Sequence, residues 1–159
     1  MSDPTAAAFD EALRDHLRAS MASLAAAVEG LTVDQLDATL GPETNSLAVL
    51  VAHTVGTARS IAHDLADDPI RVERGAAFQV SGKSGDELRG LIDEWSAEMD
   101  GLLDRAFAVA PDRPVQRYRL ASQAWWLLQL AGHTREHAAQ ADLTRQLVLA
   151  REAPPDASS

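Results

Sequence analysis

Apolar residues recur every three or four positions along four stretches of the chain, and the pattern lapses between them. Over residues 4–29, Phe9, Leu13, Leu17, Met21, Leu24 and Val28 keep helical spacing; Pro4 suits a first-turn position and Gly30 ends the run. Thr32 then opens "TVDQLD", a short helical turn. A second stripe of Leu47, Leu50, Val51, Thr54, Ala58, Ile61 and Leu65 begins behind Asn45 or Ser46, either of which can cap it, and stops at Asp67, Asp68 and Pro69. A third opens at Ser84 with Glu87 three residues on, the spacing of a capping box. It carries Leu88, Ile92, Trp95, Met99, Leu102, Leu103 and Ala106 on one side before Pro111 and Pro114 break the chain. The fourth runs from near Tyr118 to about Ala150. No segment shows the alternation of a strand.

Between the second and third long helices, residues 69–83, "PIRVERGAAFQVSGK", lack helical periodicity and contain Gly and Pro breakers. This is a long loop for a compact domain, able to cross one end of a bundle or cover a site. Four amphipathic helices without strands predict an all-α four-helix bundle, with the long connection leaving room for a parallel crossover. One domain over residues 1–150 and a disordered tail over 151–159 complete the expectation.

Composition narrows the chemistry. The 159 residues contain no cysteine, which removes disulfides, thiolate zinc sites and cysteine nucleophiles and fits a reducing cytoplasm. A formal net charge of −10 disfavours nucleic acid and anionic membrane as partners. The opening residues lack the basic start of a signal peptide, and no apolar run is long enough to span a bilayer.

The remaining chemistry lies in histidines. "GHTREHAAQAD" puts His133 and His137 four residues apart in the fourth helix. At about 100° per residue, His137 falls about 40° from His133, Trp126 about 20° and Leu130 about 60°. With Ala141 and Val148 these form the apolar, inward face, where Trp126 serves core packing or lines a pocket. His53 lies at the edge of the second stripe, with Thr57, Ser60 and Asp64 on its side, as a cleft between two helices would require. Inward imidazoles admit two readings: structural residues hydrogen-bonded to neighbours, or ligands of a cation that takes one lone pair from each ring. The spacing alone leaves both open. His16 and His63 fall off the apolar stripes and read as solvated.

Three motifs together resemble the DinB/YfiT-like metalloenzyme superfamily: "EGLTVDQLD" between the first helices, "NSLAVLVAH" at the start of the second, and "HTREHAAQADLTRQL" in the last. The resemblance implies a four-helix bundle with a long crossover, often a homodimer. It implies a divalent metal (zinc, nickel, iron or manganese) held by His53, His133 and His137. Ala58 stands where some relatives have glutamate, and Gln140 where others have a further histidine. Relatives include thiol S-transferases that use bacillithiol, mycothiol or glutathione.

The function expected is therefore a metal-dependent enzyme acting on a small molecule, with mycothiol as a thiol cofactor since the chain has no cysteine of its own. Gln140 and Glu136 are the candidates for catalytic contacts, and Gln129 and Asp64 for contacts behind the ligands or to substrate. The alternatives are a non-catalytic dimeric bundle with a vestigial metal site and a metal-dependent hydrolase that needs no thiol.

Overall fold

Side-chain caps fix where the helices begin. The computed structural model describes residues 4–71, 73, 75–117 and 119–152. Helix α1 spans Pro4–Val28, the short α2 Val33–Asp37, α3 Leu47–Leu65, α4 Gly85–Phe107 and α5 Gln123–Glu152. Thr32 and Ser84 each close a capping box: the hydroxyl accepts the N–H of Gln35 or Glu87, whose side chain accepts the cap's own N–H in return. Ser46 rather than Asn45 caps α3, accepting from the Val49 N–H at 3.3 Å. Gly30, at φ +72°, ends α1 in the left-handed conformation that glycine adopts without a Cβ penalty.

Contacts between named residues give the helix directions. Arg14, early in α1, pairs with Asp100 and Asp104 late in α4, while Gly85 at the start of α4 abuts Val28 at the end of α1. A Cβ on Gly85 would lie 2.9 Å from the Val28 carbonyl oxygen, so this antiparallel approach requires glycine. Arg145, late in α5, donates to the Ala27 and Glu29 carbonyls at the end of α1, making α5 parallel to α1. Leu65 and Ala106, at the ends of α3 and α4, meet at Gln123 at the start of α5. The long helices therefore run up, down, down, up, with α3 and α4 parallel. Two parallel neighbours cannot be joined by a tight turn. The connection between Leu65 and Gly85 must return along the bundle, as the long aperiodic segment predicts. Each of α1 and α3 packs against both α4 and α5.

The core holds Leu17, Leu24, Leu47, Leu65, Leu88, Trp95, Leu103, Trp126 and Leu130, all fully buried, each side chain contributing about 1.5–3 kcal/mol. Phe9 departs from expectation. It is 37% exposed and meets Phe107 edge-on at 6.0 Å.

Gln123 joins three helices. Its buried amide donates to the Ala106 carbonyl at 2.8 Å and the Leu65 carbonyl at 3.1 Å, and its Oε1 accepts from Arg113 at 2.9 Å. Arg113 also donates to the carbonyls of Asp64 and Leu65. The pair thus occupies carbonyls that the ends of α3 and α4 leave without intrahelical partners.

Two expectations need correction. The fourth long helix begins at Gln123, not near Tyr118, a residue that lies outside the described set. Ahead of it stands a hairpin that the pattern gave no sign of: β1 (Pro114–Gln116) pairs antiparallel with β2 (Leu120–Ser122). Strands of three residues are too short to establish a period of two. The helix reaches Glu152, and most of the tail expected to be disordered, residues 153–159, lies outside the described residues. Among the described residues, no helix is long and apolar enough to cross a membrane.

Replacing Gln123 with Ala should destabilise the fold by about 1–3 kcal/mol in urea titration, since it removes the buried amide that ties the Leu65 and Ala106 carbonyls and Arg113 together. A second prediction concerns acid. Burial works to raise the Asp100 carboxyl, but hydrogen bonds from Arg18 and Arg14 outweigh it and hold the group below the ordinary carboxylate range. Its contribution is present above the unfolded value of about 3.9 and disappears as pH falls through the lower folded value. Asp100→Asn should therefore be less stable than the parent at neutral pH, and the difference should shrink below about pH 4.

Candidate metal centre

His53 lies in the first half of α3, and His133 and His137 lie midway along α5. The antiparallel packing of α3 on α5 brings them face to face. Thr54 and Thr134, buried beside them, donate their hydroxyls to the Leu50 and Leu130 carbonyls, so neither competes for an imidazole. The ring centroids stand 5.3 Å apart for His53 and His133, 5.0 Å for His53 and His137, and 4.4 Å for His133 and His137. One nitrogen from each ring can be chosen so that all three lie within 4.8 Å of one another, and each residue is partly buried.

This donor set fits a divalent cation. Metal–imidazole bonds of about 2.0–2.1 Å place ligating nitrogens roughly 2.8–3.4 Å apart, from octahedral to tetrahedral geometry. Small ring rotations span the remaining gap. Three neutral imidazoles add no charge, and together they leave coordination positions open. The surroundings favour the same use. The carbonyl-type Oε1 of Gln140 lies 2.8 Å from His137 Nδ1. An oxygen of that kind can only accept, so the contact puts the proton on Nδ1 and leaves the Nε2 lone pair for a ligand bond.

Around the cluster, the structure places the other predicted residues as follows. Gln140 touches His137 although its own chain is largely exposed. Glu136, in the same turn as the histidines, is exposed to solvent. Gln129 is partly buried. Asp64 pairs with Arg117, which also donates to the Ser60 carbonyl at 2.9 Å and its hydroxyl at 3.2 Å. The polar edge of α3 thus receives the hairpin arginine. Trp126 is core: it is fully buried, and its Nε1 donates to the Val115 carbonyl at 3.2 Å. His16 is exposed as expected, but His63 is not solvated. Its side chain is only 12% exposed, with Nδ1 3.0 Å from the Asp68 carbonyl and Nε2 3.9 Å from Glu98, because α4 packs parallel along that side of α3.

Phe78 is the neighbour that periodicity could not reveal. The crossover forms a 3-10 turn over Ala76–Gln79, which lays the Phe78 ring on His53 with centroids 4.8 Å apart. The single aromatic residue of an aperiodic loop was the one available sign. Arg117 gave none, since its partners lie more than 50 residues away in sequence.

An up-down-down-up bundle with three imidazoles converging between two facing helices defines a protein of the DinB/YfiT type, whose members bind divalent metal. Residues 12–150 match the family described as mycothiol S-transferase, and the chain belongs to that family. No curated protein matches the chain significantly.

Replacing Gln140 with Leu should weaken divalent-metal affinity by about 10–100-fold without unfolding the protein, by removing the acceptor behind His137. Competition against a chromophoric chelator reads this. His16→Ala, far from the cluster, should leave affinity unchanged.

Proposed function

We propose that the protein is a metal-dependent thiol S-transferase that joins the sulfur of a mycothiol-type thiol to a small electrophile. The observation that carries the reading is the convergence of the His53, His133 and His137 nitrogens in a chain belonging to the mycothiol S-transferase family. When bound, a divalent ion supplies a +2 charge that lowers the pKa of a thiol or water presented to it. The three histidines hold the ion, and Gln140 keeps His137 in the ligating tautomer. Phe78 shields the His53 side from bulk water, which strengthens every electrostatic interaction beneath it. With no cysteine in the chain, the reacting sulfur comes from the co-substrate. The S–H bond gives up its proton, a new S–C bond forms, and the bond from the electrophilic carbon to its leaving group breaks, the group departing as an anion while the proton passes to solvent. We assign the outward relay of that proton to Glu136, which is exposed and three residues from His133 on the same helix. The net charge of −10 favours accumulation of divalent cations over anionic substrates.

The test uses protein purified without a nickel column and then loaded with zinc, nickel, iron or manganese in turn. Loaded protein should consume an alkylating electrophile only when a low-molecular-weight thiol is present. His133→Ala and His137→Ala should lose both metal and turnover while keeping the helical circular dichroism. Equal consumption without thiol would replace this reading with a hydrolase. Full metal occupancy with no turnover of any thiol–electrophile pair would replace it with a binding role.

A further inference from the structure

Beside the metal centre lies a groove that the account so far leaves without a use. It has a volume of about 370 Å³, within the range of small-molecule sites. One wall is α5, through Gln140, Leu143 and Leu147; the other is Leu40 and Asn45 of the link before α3, together with Leu50. Gln140 belongs to both places, since it lines the groove and its Oε1 faces His137 Nδ1. At a rise of about 1.5 Å per residue, Leu143 and Leu147 lie about 9 Å and 15 Å along the helix from His137. The groove is thus a continuation of the histidine cleft toward the C-terminal end of α5.

Its lining sets the leucines Leu40, Leu50, Leu143 and Leu147 among the polar side chains of Glu43, Thr44, Asn45, Gln140 and Thr144. Leu143 and Leu147 are 56% and 46% exposed, an apolar surface on a strongly acidic protein. At the rim, the Thr44 hydroxyl is engaged within its own turn. The Thr44 hydroxyl accepts the N–H groups of Leu40 and Gly41 and donates to the Gly41 carbonyl. An alkyl chain finds Leu40, Leu143 and Leu147 along the groove.

We infer that this groove is the subsite for the electrophilic substrate, and that it selects electrophiles whose reactive carbon carries an aliphatic tail. The inference rests on the S-transferase reading for its chemistry, but not for its binding. A tail lying against Leu143 and Leu147 leaves the reactive end beside Gln140 and the histidines, where the sulfur must arrive. Burying a methylene fully favours binding by roughly fourfold, and an open groove secures part of that for each carbon.

The test titrates metal-loaded protein with two thioethers, S-methyl- and S-hexyl-N-acetylcysteine, following leucine methyl resonances and affinity together. The hexyl compound should bind at least about tenfold more tightly and shift the methyls of Leu40, Leu143 and Leu147. The exposed double substitution Leu143→Gln, Leu147→Gln should reduce that preference to about threefold or less without changing the S-methyl affinity or the metal content. Equal affinity for the two compounds, or shifts confined to other leucines, would overturn the inference. So would a parent protein whose solution mass is halved by the double substitution, since these leucines would then face a second copy. Absence of thiol transfer alongside a chain-length preference would instead count against the reaction and leave the groove assignment standing. Turnover with a KM independent of tail length would do the reverse.

Discussion

The antiparallel packing of α3 against α5 is the constraint on which the site depends. It alone brings His53 opposite His133 and His137, residues 80 or more positions apart in sequence. Apolar contacts along Leu50, Ala58, Ile61, Trp126 and Leu130 hold the two helices together, and the imidazoles occupy the polar edge of that seam. Three partly buried rings need partners for their lone pairs and N–H groups. A cation meets that need with the outward N–H free to bond elsewhere, as His137 does with Gln140.

The rest of the architecture serves to keep this seam closed at one end and covered on one side. Gln123 and Arg113 fasten the ends of α3 and α4 to the start of α5, so the register of the facing histidines is set a few turns away by buried hydrogen bonds. Arg117 ties the hairpin to Ser60 and Asp64 on the same edge of α3. Parallel placement of α3 and α4 forces a long return segment, and that segment brings Phe78 onto His53. The topology that makes the crossover necessary is thus also what lays an aromatic ring on the histidine cluster.

Much of this was legible because it is local. The cap at Thr32 and the capping box at Ser84 depend on residues close in sequence, and the inward orientation of His133 and His137 follows from the helical period of Leu130, Ala141 and Val148. The position of His53 at the edge of its stripe was legible for the same reason. What could not be read depends on contacts distant in sequence. The short hairpin has too few residues to show a period, and His63 is covered by a helix whose parallel direction no local pattern announces. Asp64 looked available for substrate until Arg117 was placed beside it. The three-residue interval between His137 and Gln140 was visible in the sequence, but their hydrogen bond required side-chain geometry.

The central claim is that His53, His133 and His137 grip one divalent ion. X-ray absorption fine structure at the edge of the bound metal tests this most directly. The account predicts three imidazole scatterers per metal at about 2.0–2.1 Å for zinc, falling to two in His53→Ala. A first shell made only of water and carboxylate oxygen, or one unchanged by the loss of His53, would contradict it.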